Sequence, residues 1–262
     1  MKKLITKILA TALAIATLFT FTGCAKVADL KKVQDAGKLV VGITDYEPMD
    51  YQDENGKWIG FDAELAEMFA AELGVECEFV EIDWDAKTIE LASGQFDLIW
   101  NGMTASDKLA KEIDLSIPYA KNAQVLIMKK DATAPAKADV KNLTIAVEKG
   151  SAGASVANEI GITNIVEADK QLMALAELKS GEVQGALIDL TMAESVVGKG
   201  NFDDLKIVDG ISYGEEVFSV GLRKNSDLTS KLNKFLKDKY ADGTMTELLT
   251  KYQVSLNVDA LK

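Results

Sequence analysis

Short apolar runs along the chain alternate with segments whose apolar residues recur at helical spacing. Lys38 to Ile43 reads as a strand. Asp62 can cap a helix in which Leu65, Met68, Phe69 and Leu73 share one face, and Gly74 ends it. Val75 to Ile82 reads as a strand, Ala86 to Ser93 as a helix and Asp97 to Trp100 as a strand, after which Ser106 opens another helix. Gln124 to Met128 is again strand-like, and the loop Asp131 to Ala138 leads into a second series. Its strands are Thr144 to Val147, Gln184 to Ile188 and Lys206 to Val208, with helices near Ala152 to Glu159, Asp169 to Lys179 and Thr191 to Val197. A strand from Phe218 to Leu222 and two helices, Leu228 to Asp238 and Thr244 to Tyr252, complete the chain. Strand and helix in alternation predict an α/β fold with parallel sheets and crossover helices. No repeat of solenoid length is present.

The first residues follow a different pattern. Lys2, Lys3 and Lys7 precede the apolar run Ile8 to Phe21, and Thr22-Gly23-Cys24 follows it. That is an export signal with a lipobox-like end, with Phe21 where the usual box has leucine. The run is about 14 residues, short of the roughly 20 that a spanning helix needs. Residues 1–23 are therefore expected to be removed and Cys24 to be lipidated, with residues 24–36 as a tether. The folded part would then be extracytoplasmic and anchored to the cell membrane. Cys77 is the other cysteine, so the mature chain has no intramolecular disulfide. Its alternating context, Val75 to Phe79, reads as a core thiol.

Composition removes several classes of function. With 29 basic against 41 acidic side chains, the net charge of −12 gives no basic surface for nucleic acid. There is no histidine, which excludes Ser-His-Asp and Cys-His catalysis and histidine metal sites. No metal and no cofactor are expected. Arg223 is the only arginine; every other cation is a lysine.

Open α/β sheets bind ligands beyond the carboxyl ends of their strands. Two segments there offer glycines, hydroxyls and helix starts that can point N–H groups at an anion: Asn101 to Asp107, and Glu148 to Gly153. Taken singly, such residues are more often helix caps.

Taken in order, the motifs are specific. Pro48, Gly56, Ile59-Gly-Phe-Asp-Ala-Glu-Leu65, Trp84, Leu91-Ala-Ser-Gly-Gln-Phe-Asp97, Asn101-Gly-Met-Thr104, Leu115-Ser-Ile-Pro-Tyr119, Gly150-Ser151 and Gln184-Gly-Ala-Leu-Ile-Asp189 succeed one another. From about Lys38 to Tyr252 the chain resembles the polar-amino-acid class (family 3) of extracellular solute-binding proteins that feed ABC importers. The resemblance implies a type II periplasmic-binding-protein fold of two α/β lobes joined by two hinge strands. Lobe 1 would be residues 36–121 and 217–262, and lobe 2 residues 122–216, with hinges near Ala120 to Gln124 and Gly214 to Phe218.

The same resemblance implies roles at particular positions. Tyr46 and Trp84 would wall the ligand's side chain; because the family's spacing before Pro48 varies, Asp45 stays open at that edge. Gly102 and Thr104, after Asn101, would take the ligand's α-ammonium and α-carboxylate from the first lobe. Ser151, after Gly150, would take the carboxylate from the second. Asp189 would bind the α-ammonium, its competing role being a cap for the next helix. Glu148 matches a position that varies with ligand, and an acid there suits a cationic side chain.

One departure matters. The family pattern Thr-x-Thr/Ser-x-x-Arg places a carboxylate-clamping arginine where Thr104-Ala-Ser106-Asp-Lys-Leu109 has Leu109. Arg223 lies in a strand returning to the first lobe and is not expected at the cleft. Two explanations remain open. In one, an α-amino acid is bound with its carboxylate on helix N-terminal amides, Thr104, Ser106 and Ser151, helped by Lys108 or Lys149. In the other, the ligand lacks a carboxylate, and Asp189, Glu148, Tyr46 and Trp84 form a cage for an amine or polyamine-like cation. The expected protein is a monomeric, non-enzymatic clamp whose partners are the small solute, an ABC permease and, through its lipid, the membrane. A dehydratase-like enzyme on the same fold is the weaker alternative, lacking both the histidine and the clamping arginine.

Overall fold

The structure, a computed structural model, describes residues 27–262. The expected signal segment, residues 1–23, and Cys24 lie outside the described residues. After α1 (Asp29–Ala36) come β1 (Lys38–Ile43), a short hairpin of β2 (Tyr51–Gln52) and β3 (Trp58–Ile59), α2 (Phe61–Leu73), β4 (Glu76–Glu81), α3 (Lys87–Ser93), β5 (Leu98–Ile99), α4 (Asp107–Glu112), β6 (Asp114–Leu115) and the long β7 (Ala120–Lys129). The second series is β8 (Thr144–Glu148), α5 (Ala152–Glu159), β9 (Asn164–Ala168), α6 (Gln171–Ser180), β10 (Gly185–Asp189), α7 (Leu190–Val196) and β11 (Leu205–Phe218). Then follow β12 (Gly221–Leu222), α8 (Leu228–Ala241), α9 (Thr244–Tyr252) and α10 (Val258–Leu261).

These strands form two five-stranded sheets, β4-β1-β5-β12-β6 and β11-β7-β10-β8-β9, and the described residues show no helix long and apolar enough to cross a membrane. The chain leaves the first sheet unit along β7 and returns along β11, which pair antiparallel with Phe218 opposite Ala120 and Glu216 opposite Asn122. The sheets are thus mixed, not parallel as the alternation predicted. β12 runs antiparallel to both β5 and β6, and β7 antiparallel to both β10 and β11. The reason is topological: a chain that leaves one sheet and comes back must return in the opposite sense.

Burial explains why these segments hold their places. β1 buries Leu39, Val41 and Ile43 between parallel partners β4 and β5, while β10 is buried at every residue. Both are the apolar runs that a central strand covered on two faces requires. In α2 the stripe Phe61, Leu65, Ala66, Phe69 and Ala70 packs inward, and Gly74 closes the helix in the left-handed conformation, its N–H reaching the carbonyls of Ala70 and Ala71. Cys77 is half-buried against the core, and burial pushes its thiol pKa up to about 12.

Some elements escaped the hydrophobic pattern. β11 is one strand of 14 residues where the pattern marked only Lys206 to Val208, because irregularities between Ile207 and Ser212 and between Tyr213 and Glu216 break its alternation. Phe218 ends β11, so the predicted strand Phe218 to Leu222 is divided. β9 was not marked either; its ends, Asn164 and Ala168, flank two half-buried residues and an exposed glutamate.

Candidate functional site

One cleft of about 660 Å³ lies between the two sheet units. It is lined from the first by residues that follow β1, β4 and β5, and from the second by residues at the carboxyl ends of β8 and β10, with β11 contributing Tyr213 to Val217. All the sequence-derived candidates except Asp45 and Lys149 line it: Tyr46, Trp84, Asn101, Gly102, Thr104, Ser106, Lys108, Leu109, Glu148, Gly150, Ser151 and Asp189. Asp45 is half-buried outside it, its pKa raised by burial.

On the first wall, Tyr46 is held by its neighbours. Its N–H donates to the Asp50 carbonyl at 2.6 Å, and its ring meets Phe218 edge-on with centroids 6.3 Å apart. The Tyr46 hydroxyl is buried without a hydrogen-bond partner among the described residues, and burial followed by the charge of Asp189 drives its pKa upward. Gly102 sits under this ring at φ +54°; a Cβ there would lie 2.7 Å from Tyr46 Cε1. The Gly102 N–H donates to Asp62 Oδ2 at 2.7 Å, so only its carbonyl is left for a ligand. Asp62 also accepts the Tyr119 hydroxyl at 2.7 Å, and burial pushes its carboxyl up to about 7. Asn101 is committed as well, accepting the Thr44 N–H and donating to the Thr44 hydroxyl.

The second wall carries the acids. Asp189 precedes α7 but does not cap it. The Thr191 N–H, which a cap would take, goes to Asn122 Oδ1 instead. The carboxylate of Asp189 accepts Gln124 Nε2 at 2.7 Å and Gln171 Nε2 at 2.6 Å, together with the amide of Asn122. Glu216 joins the same network: its Oε2 accepts Gln124 Nε2 at 2.9 Å, Asn122 Nδ2 at 3.1 Å and the Thr104 hydroxyl at 3.1 Å. Burial, then the charge of Glu216, lifts the Asp189 carboxyl to about 6, and burial, then Asp189, lifts Glu148 to about 8. Three acids, Glu148, Asp189 and Glu216, therefore face one cleft, a lining that suits an ammonium group.

Anion-binding groups lie at the helix starts. Ser151 caps α5, its hydroxyl oxygen accepting the Ala154 N–H at 3.1 Å, and Ser106 does the same for the Leu109 N–H at 3.2 Å. Each hydroxyl then keeps its own proton to donate. A cap and a ligand group are compatible roles for the same serine.

At the seam the two units touch. Gly150, at φ +68°, lies so close to Asp85 that a Cβ would meet Asp85 Oδ1 at 2.6 Å. Ion pairs join Lys149 to Asp85 at 2.9 Å and Lys170 to Glu81 at 2.7 Å, and the Ser195 hydroxyl donates to Glu47 at 2.8 Å. Trp84 is buried beside Leu109, and Lys87 Nζ stands 4.6 Å from the centroid of its ring. Arg223 lies elsewhere, pairing with Asp29 at 2.7 Å and Asp97 at 2.9 Å.

Sequence reasoning missed Lys87, Gln171 and Glu216. Glu216 sat in a segment read only as hinge, and Gln171 gave no signal beyond a polar residue at a helix start. Lys87 did leave one: it is four residues before Leu91 on the buried stripe of α3, where an apolar residue would be expected.

Residues 39–255 match the family model of the bacterial extracellular solute-binding proteins, family 3. The arginine-binding extracellular protein ArtP of Bacillus subtilis is 31% identical over 225 residues, 82% of this chain and 86% of that protein. A histidine-bound substrate-binding protein of an ABC uptake transporter from Streptococcus pneumoniae superposes with a TM-score of 0.77 at 31% identity, over 86% of this chain and 95% of the other. The ancestral amino acid-binding protein AncCDT-1, a precursor of cyclohexadienyl dehydratase, gives a TM-score of 0.79 at 30% identity, over 86% and 99% of the two chains.

Proposed function

The chain belongs to the bacterial extracellular solute-binding proteins, family 3, and on that premise we propose that it captures an α-amino acid between two lobes and delivers it to an ABC importer. The observation that carries this reading is the pairing of opposite chemistries in one cleft. Asp189 and Glu216, held by shared amides, suit an α-ammonium. Ser151 at the start of α5 suits an α-carboxylate. Tyr46 and Trp84 wall the space for the side chain. Glu148 is buried with its carboxyl lifted to about 8, and a cationic side-chain head beside it would favour its ionised form.

The lobes in this reading are residues 36–121 with 217–262, and residues 122–216, turning about the paired strands β7 and β11. The mature chain is a monomer anchored through Cys24 and performs no reaction on its ligand.

A thermal-shift screen of the purified protein against the common amino acids, L-cystine, their methyl esters and their decarboxylated amines tests this. A ligand at about 100 times its Kd adds roughly 2.7 kcal/mol of stability. Stabilisation by an amino acid well beyond its ester and amine is the expected outcome. Stabilisation by amines alone overturns the reading in favour of a cation cage. Mass spectrometry of the bound solute after prolonged incubation checks for turnover; a dehydrated product would show an enzyme.

A further inference from the structure

We propose that Lys87 supplies the cation that binds the ligand's α-carboxylate, in place of an arginine at the position of Leu109. The proposal rests on the reading of the cleft as an amino-acid site.

Lys87 is 7% exposed, lines the cleft, and begins α3 one turn after Trp84. Its Nζ donates to the Trp84 carbonyl at 2.7 Å and to the Gly150 carbonyl at 3.0 Å. No ion pair among the described residues includes it. An ammonium has three donors, so one remains free, and a buried charge without a counter-ion is costly. Glu148 and Asp85 attract it from a distance, yet burial outweighs them and lowers its pKa to about 8, with Lys108 adding to the fall. Burial likewise lifts the Glu148 carboxyl to about 8, and no hydrogen bond or ion pair among the described residues joins it to Lys87.

The position of this unpaired charge is informative. Gly150 immediately precedes Ser151, whose hydroxyl and helix start face the same cleft. Lys87 Nζ, bonded to the Gly150 carbonyl, therefore lies in the same part of the cleft as the Ser151 cap, one residue on. Leu109 cannot contribute charge: it packs against the cluster around Trp84, and its N–H is taken by Ser106. Lys149 is spent on Asp85 at the rim, and Lys108 is exposed. Of the cations lining the cleft, Lys87 is the buried one.

The test crosses a residue with a ligand group. Calorimetric titration measures the wild type, Lys87→Met and Lys87→Arg with the amino acid that stabilises the wild type in the screen above, and with its methyl ester and decarboxylated amine. Lys87→Met is expected to bind the free amino acid roughly ten- to a hundredfold more weakly, the loss typical of one charge-assisted hydrogen bond. Its affinity for the ester and the amine should change less than threefold, and Lys87→Arg should keep the preference for the free acid. If Lys87→Met weakens acid, ester and amine equally, Lys87 merely latches the lobes through Gly150 and the proposal fails. It fails also if Lys87→Arg loses the preference, a comparison that stands should Lys87→Met not fold, or if the loss follows Lys108→Met instead. Absence of amino-acid binding by the wild type overturns the underlying reading itself, and that arm separates the two failures.

Discussion

Gln171 and Asp189 hold each other through two hydrogen bonds: the Gln171 amide donates to Asp189 Oδ2 at 2.6 Å, and the Asp189 N–H donates to Gln171 Oε1 at 2.9 Å. The pair fixes the carboxylate at the end of β10, facing the cleft instead of turning onto α7. Gln171→Leu removes a donor from one carboxylate oxygen and an acceptor from a buried N–H. The cost should be about 1–3 kcal/mol, with ligand affinity lowered roughly tenfold. Urea titration reads the first and calorimetry the second; an unchanged affinity would show that Asp189 is positioned without Gln171.

Gly102 is the only residue type that fits beneath Tyr46. Gly102→Ala combines a positive φ with a Cβ 2.7 Å from the Tyr46 ring, whereas Gly56→Ala, at φ +78°, meets nothing within 4 Å. Backbone strain of about 1–3 kcal/mol is common to both. The Gly102 variant should lose more stability and also lose ligand affinity, because Tyr46 must move. Equal denaturation midpoints for the two variants would refute the clash.

Stability without ligand should depend on pH through the buried acids. Asp189, Asp62 and Glu148 have carboxyls raised by burial to about 6, 7 and 8. Each binds its proton more tightly folded than unfolded, so its contribution is fully present below its unfolded pKa and is lost as pH rises through the folded value. Lys87, lowered to about 8, acts in the opposite direction above that pH. The urea midpoint is therefore expected to fall from pH 5 to pH 8 and then to flatten. An amine-bearing ligand should bind more tightly over that range, releasing protons that calorimetry in buffers of different ionisation enthalpy detects.

Arg223 is a structural cation. Its guanidinium donates to Asp29, to Asp97 and, at 2.6 Å, to the Phe96 carbonyl, tying α1 to the turn before β5. Breaking such a buried pair by removing one partner costs about 3–5 kcal/mol. Arg223→Ala should lower the denaturation midpoint accordingly and leave Kd unchanged at a temperature where the variant is folded. A large change in Kd would place this arginine in the ligand's field.

The ion pairs across the seam are exposed and should matter little. Lys149→Met and Lys170→Met remove partners of Asp85 and Glu81, interactions of a kind worth about 0–1 kcal/mol and weakened by salt. Affinity is expected to fall less than about fivefold in each, with the difference from wild type shrinking at high ionic strength. A salt-insensitive loss of tenfold or more would move the carboxylate's cation from Lys87 to the rim.

Local pattern along the chain determined most of the elements and the class. Apolar runs marked β1, β8 and β10, helical spacing marked α2, and α5 and α9 have the predicted bounds because their caps are local. Ordered motifs marked Trp84, the turn Asn101 to Thr104, Gly150, Ser151 and Asp189 in the cleft, since family-defining positions sit where strands end and helices begin. Only the tertiary structure decided the direction of β7, β11 and β12, which follows from the chain crossing between sheets and returning. It also decided which polar groups meet. Thr104 and Glu216 are 112 residues apart in sequence and share a hydrogen bond, and Lys87 reaches Gly150 across 63. Charge pairing and burial act through space, so a lysine in a helical stripe and a glutamate in a long irregular strand come to line one cleft only after the sheets have placed them around it.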